Sequence, residues 1–95
     1  MSTFSIPRVN VVESTDGYSV EVLGRTGIIY SEGSKVMRID SEVLAGPSGM
    51  VVYTDSINRW DPPYSETELS AVQKSRIVEN IKAAFLFRGF KIQVG

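Results

Sequence analysis

Apolar and polar residues alternate in the first half of the chain, and this period of two is the feature that most constrains the fold. Tyr18, Val20 and Val22 fall on one face of an extended segment. Ser19 and Glu21 fall on the opposite face. A strand with one apolar and one polar face is typical of an antiparallel sheet that has one side in water.

Turn residues divide this half of the chain into successive strands. Asp16 and Gly17 form a strong turn signal, and we predict strands over residues 4–12, 18–22, 28–30, 35–43 and 50–53. The apolar face of the run at 35–43 carries Met37, Ile39, Ser41 and Val43. These segments indicate an antiparallel meander of about five strands.

A helix is predicted after the strands. Ser65 and Glu68 have the spacing of a capping box, which predicts that the helix begins there, and Gly89 predicts its end. This length corresponds to about six turns. Between these signals, apolar residues recur at helical spacing: Leu69, Ile77, Ile81, Ala84 and Phe85. We expect a final short strand over residues 90–94 to rejoin the sheet.

These elements predict one α+β domain over residues 1–95, with the meander packed against a single long carboxyl-terminal helix. A chain of 95 residues supports one modest core and no second domain. The sheet and the helix each have one apolar face, so neither is stable until the two cover each other.

The composition argues against most enzymatic chemistry. The chain contains no cysteine and no histidine, which excludes thiolate zinc sites, Ser-His-Asp catalysis and Cys-His catalysis. An enzyme would have to use Asp40, Glu42 or Asp55 with a metal, and a solvated strand face explains these carboxylates as well. We therefore expect a non-enzymatic protein with no catalytic residue, no metal site and no cofactor.

No segment resembles a targeting or membrane signal. Residues 1–8 lack a basic stretch followed by an apolar run, and no stretch approaches the roughly 20 apolar residues of a membrane helix. We expect a cytoplasmic protein with no membrane partner, in agreement with the absence of cysteine.

Charge is unevenly distributed along the chain. The formal net charge of −1 gives no support for nucleic-acid binding. Residues 13–68 nevertheless hold ten acidic side chains against four basic ones, whereas residues 74–91 hold five basic side chains against Glu79 alone. The acidic excess is either an ordinary solvated surface or a patch that attracts a basic partner.

The segment at 57–64 is the most informative irregular stretch, because it holds the only tryptophan next to two prolines and a tyrosine. Trp60 is either a lid on the core or an anchor for a partner. The second interpretation follows from the enrichment of tryptophan, tyrosine and arginine at binding hot spots.

A family resemblance supports the binding interpretation. Gly24, Ile29 with Tyr30, residues 39–42, Gly46 with Pro47, Ile57 with Trp60 and Pro63, and a helix with Arg76, Ile77 and Ile81 resemble the immunity protein 74-like family of polymorphic toxin systems. The likeness spans residues 20–92. It implies a cytoplasmic bacterial protein that binds and neutralises a cognate protein toxin. The alternative is a small adaptor or assembly module that pairs through an exposed strand edge.

We expect the toxin to contact the acidic middle of the chain together with the tryptophan loop. The predicted partner-binding residues are Glu32, Asp40, Glu42, Asp55, Arg59, Trp60, Asp61 and Tyr64.

Overall fold

The first layer of the fold is a five-stranded antiparallel sheet whose strands follow chain order. The computed structural model describes residues 3–24, 26–43, 49–62, 64, 68–89 and 92–94. The sheet contains β1 (Phe4–Arg8), β2 (Val11–Ser14), β3 (Tyr18–Val22), β4 (Ile28–Glu32) and β5 (Lys35–Ile39). Gly17 turns the chain between β2 and β3 with a φ of 94°, a conformation that favours glycine. The predicted five-stranded antiparallel meander is thus confirmed, but the predicted strand over residues 4–12 forms two strands, β1 and β2, and the one over residues 50–53 lies outside this sheet.

A second, three-stranded sheet was not foreseen. It contains β6 (Ser41–Val43), β7 (Met50–Val52) and β8 (Ile92–Val94), with β7 in the middle and β8 parallel to it. The predictions of one strand over residues 35–43, and of a last strand rejoining the meander, were therefore wrong. Asp40 divides the run because its backbone N–H donates to the Ser56 hydroxyl, and its carbonyl accepts from the N–H of Tyr53. The backbone N–H and carbonyl of Asp40 are thus hydrogen-bonded to residues outside both sheets.

The helix α1 (Ala71–Phe87) begins later than predicted. Its capping box is formed by Ser70 and Gln73: the Ser70 hydroxyl accepts from the Gln73 N–H at 3.2 Å, and the Gln73 side chain accepts from the Ser70 N–H at 2.8 Å. The predicted partner Glu68 instead forms an antiparallel bridge with Arg59. Ser65 lies outside the described residues. The 17-residue helix has about five turns, and Gly89 follows its end with a φ of 85°, as predicted.

The core lies between the helix and the inner face of the sheets. The helix buries Ile77, Ile81, Ala84 and Phe85, and the strands bury Tyr18, Val20, Met37 and Ile39, in agreement with the predicted faces. Ser41 also faces inward and is 3% exposed. Its hydroxyl accepts a hydrogen bond from the Gly27 N–H at 3.0 Å, so the buried oxygen is satisfied. The side chain of Val43 is outside the described part.

Candidate partner-binding surface

A covering segment, residues 53–62 and Tyr64, runs along the outer edge of β5, from Asp40 to Val36. Near its start the Tyr53 N–H donates to the Asp40 carbonyl at 2.9 Å. Further on, the Asp61 N–H donates to the Val36 carbonyl at 2.7 Å. The segment therefore runs antiparallel to β5. It covers backbone groups that would otherwise form an exposed sheet edge.

Two apolar side chains fix the covering segment to the core. Ile57 is fully buried, and Trp60 is 4% exposed. The indole of Trp60 stacks on the ring of Tyr30, with centroids 6.1 Å apart and an interplanar angle of 27°. In this structure Trp60 therefore acts as a lid on the core, the first of the two interpretations given above. The exposed residues beside Trp60 therefore belong to a segment that is anchored in the core.

One end of the covering segment presents three predicted carboxylates. Asp40, Glu42 and Asp55 are all exposed, and none of them takes part in an ion pair between described residues. Asp55 lies in a short 3-10 helix, Thr54–Ser56, and the Tyr53 hydroxyl donates to Glu42 at 2.9 Å. This hydrogen bond raises the pKa of Tyr53. The three carboxylates give this end a negative potential, and nowhere in the described ranges do three metal-binding side chains form a group able to hold a metal ion.

The other end of the segment is aromatic and cationic. The Lys35 ammonium lies 5.9 Å from the Trp60 ring centroid and 5.7 Å from that of Tyr64. Tyr64 is 39% exposed, and its hydroxyl shares a hydrogen bond of 3.2 Å with Ser34. Asp61 and Arg59 are exposed nearby in sequence. Tyr64 thus presents the accessible aromatic ring that Trp60 does not.

Glu32 has a different environment from the other predicted residues. Its carboxylate accepts from the Tyr30 hydroxyl at 2.6 Å and from Arg76 of α1 at 2.8 Å. Asn80, also on α1, donates to the Tyr30 hydroxyl at 2.8 Å. Burial, followed by the hydrogen bond to Glu32, raises the pKa of Tyr30 well above its ordinary value. Glu32 therefore joins the sheet to the helix.

The exposed members of this region form one continuous feature, which we call the border surface. It contains six of the predicted residues: Asp40, Glu42, Asp55, Arg59, Asp61 and Tyr64. Trp60 lies beneath it, and Glu32 pairs in register with Lys35 at the aromatic end. The structure thus places these six side chains along one border, with Asp40, Glu42 and Asp55 at one end and Tyr64 at the other.

Comparison with family profiles shows which protein family the chain belongs to. The profile described as immunity protein 74 matches residues 19–95. The chain belongs to the immunity protein 74 family. The match confirms the resemblance inferred from the sequence, and the matched range runs from β3 to the carboxyl terminus, so that it includes the whole border surface. Neither the curated proteins nor the solved structures gave a match. Among the described residues of this immunity protein, no helix is long and apolar enough to cross a membrane.

The immunity protein also has an apolar groove that sequence reasoning missed. Its volume is about 350 Å³. Three strands, a turn and the end of α1 contribute its lining: Val9, Asn10, Val12, Val20, Val22, Gly49, Met50, Ala84, Phe85 and Arg88. No local pattern signals the groove in the sequence, because its lining positions come together through tertiary packing.

Proposed function

We propose that this chain is a non-catalytic immunity protein that binds a cognate protein toxin in the cytoplasm of the producing cell and neutralises it. Its membership of the immunity protein 74 family, over residues 19–95, carries the proposal. The absence of histidine and cysteine also favours binding over catalysis. We propose no cofactor, no nucleic-acid partner and no membrane partner.

We further propose that the border surface is the contact with the toxin. A toxin that acts on an anionic substrate has a basic active site, which the carboxylates of Asp40, Glu42 and Asp55 complement. Such complementarity raises the rate of association and excludes partners of the wrong charge. At the other end, Tyr64 supplies an accessible aromatic ring of the kind that slows dissociation.

The buried anchors and backbone hydrogen bonds of the border surface support this assignment. Ile57 and Trp60 insert into the core beneath it, and the Asp40 and Asp61 backbones are hydrogen-bonded to neighbouring elements. A surface that is already ordered loses little conformational entropy when a partner binds. Part of the backbone that carries the carboxylates is therefore hydrogen-bonded in place before the toxin arrives.

Protection of cells tests the function itself. A candidate toxin, taken from a gene that neighbours the gene of this chain, is expressed from an inducible promoter, with and without this chain, and growth is recorded. We expect the chain to restore growth and to form a complex with a catalytically inactive form of the toxin. Continued growth arrest at matched expression, together with no complex between the purified proteins, would refute the proposal.

Association kinetics test the surface. We expect the triple variant Asp40→Asn, Glu42→Gln, Asp55→Asn to slow association with the toxin and to flatten its dependence on salt. The matched control is Glu13→Gln, Asp16→Asn, Glu79→Gln, which removes the same charge from exposed positions outside the border surface. Equal effects of the two variants would show that only net charge matters and that the contact lies elsewhere.

A further inference from the structure

The lining of the apolar groove is suited to receive a side chain from a partner protein. Val12, Val20, Val22, Met50 and Phe85 contribute apolar surface to its lining. Val9, which also contributes to the lining, is 83% exposed and therefore lies at the mouth of the groove. Hot-spot residues of protein interfaces insert into pockets of this kind, where they are fully removed from water.

A guanidinium group stands at the edge of this apolar lining. Arg88 follows the end of α1, and its Nη1 donates to the Val9 carbonyl at 2.6 Å. This bond fixes the side chain at the groove, while a guanidinium has five N–H donors in all. Arg8, the residue before Val9, has a side chain that is 66% exposed, and its only ion pair among the described residues is a 3.5 Å contact with Glu21. Arg88 is therefore the charged group in the lining of the groove, while Arg8 is paired with Glu21 outside it.

We propose that the groove receives an apolar side chain of the cognate toxin that has a carboxylate beside it. The apolar part would fill the groove, and the carboxylate would pair with Arg88 in the bidentate geometry that guanidinium groups favour. This inference rests on the proposed function, and it adds a second contact that shares no residue with the border surface. Charge complementarity selects the occupant, because the Arg88 guanidinium repels a basic segment and finds no carboxylate to pair with on an uncharged one.

The groove is tested first without the toxin, with two fluorescent probes that share the same apolar phenylnaphthylamine group. 8-Anilino-1-naphthalenesulfonate carries an anionic group on its rings, and N-phenyl-1-naphthylamine lacks it. We expect both to bind the folded protein at one site, with the sulfonate about tenfold tighter. In Arg88→Gln this preference should disappear, whereas Lys82→Gln, which removes a cation from an exposed helix position, should retain it.

A second pair of variants tests the groove without substituting Arg88. Val9→Glu places an anion at the mouth of the groove and should weaken the binding of the sulfonate probe by about tenfold. Val72→Glu makes the same substitution at a position that is 78% exposed and outside the groove, and it should change nothing. Absence of probe binding, or equal binding by Val9→Glu and Val72→Glu, would refute the site. Thermal melts of each variant verify that the protein is folded.

The occupant is tested by displacement. Catalytically inactive toxin is added to the complex of the immunity protein with the sulfonate probe. Stoichiometric release of the probe by wild-type protein, together with at least about tenfold weaker toxin binding by Val9→Glu than by Val72→Glu, is the expected result. A ternary complex that retains the probe would refute the groove contact and leave the proposed function intact. No toxin binding at all would refute both.

Discussion

The Tyr30 hydroxyl donates a hydrogen bond to the Glu32 carboxylate across 2.6 Å, and Arg76 donates to the same carboxylate from α1. Glu32→Ala removes the acceptor of the Tyr30 hydroxyl and of the Arg76 guanidinium. The loss at Tyr30 is costly because this residue is fully buried. We expect the free energy of unfolding in urea to fall by about 1–3 kcal/mol. The matched control Glu79→Ala removes a carboxylate that is 72% exposed and 3.5 Å from Lys82, and it should lower the value by at most about 0.5 kcal/mol. Similar losses would contradict the structural role assigned to Glu32.

The raised pKa of Tyr30 makes stability depend on pH in the alkaline range. Burial and the hydrogen bond to Glu32 raise the pKa above the ordinary value of 10.0, so the folded protein keeps a proton that the unfolded chain releases. The contribution is complete below about pH 10 and declines above it, by at most about 1.4 kcal/mol per pH unit. We expect urea unfolding to show a smaller alkaline decline for Tyr30→Phe than for wild type. Parallel declines would contradict this.

The buried face of α1 is tested by two neighbouring substitutions. Ile81 is fully buried, so Ile81→Ala should leave a cavity and lower the free energy of unfolding by about 2–5 kcal/mol. Lys82 is exposed, so Lys82→Ala should have little effect. If the lysine substitution were the more damaging, the helix would be rotated from the orientation described.

The start of α1 is tested at its cap. Ser70→Ala removes the acceptor of the Gln73 N–H and should lower the free energy of unfolding by about 1 kcal/mol. Ser75→Ala provides a control at an exposed position inside the same helix. Because alanine favours the helix interior, this variant should match or slightly exceed wild-type stability. A loss at Ser75 as large as that at Ser70 would contradict the assigned cap.

Substitutions at Trp60 and Tyr64 distinguish the stability of the fold from the proposed contact with the toxin. Trp60→Ala should lower the free energy of unfolding by about 3–5 kcal/mol, because the indole is buried against Tyr30. Tyr64→Ala should change the melting temperature little and weaken toxin binding by about 2 kcal/mol, mainly through faster dissociation. Thermal melts and binding kinetics measured on the same samples check both. Unchanged toxin affinity of folded Tyr64→Ala would place the aromatic contact elsewhere.

Local patterns predicted the elements whose side chains follow a regular period. The alternation through Tyr18 and Val20 predicted their burial, and the helical spacing of Ile77 and Ile81 predicted the inner face of α1. Gly89 predicted the helix end correctly, because a positive φ is a local requirement. These features depend on neighbours a few positions away.

Features that depend on distant partners were not predictable in the same way. The break at Asp40 requires Ser56, which is 16 positions away, and the ion pair of Glu32 with Arg76 spans 44 positions. Two capping patterns compete at the start of the helix, and the bridge between Arg59 and Glu68 favours the later one by keeping Glu68 extended. The groove was missed for the same reason, since its lining comes from separate elements.

The insertion of Ile57 and Trp60 beneath the border surface has an evolutionary consequence. The residues that hold the covering segment are buried, whereas Asp55, Arg59 and Asp61, which alternate with them along the chain, are exposed. Exposed substitutions away from such anchors usually change stability by no more than about 0.5 kcal/mol. A duplicated gene could therefore acquire a new toxin specificity through a few exposed positions, while the same buried anchors preserved the scaffold.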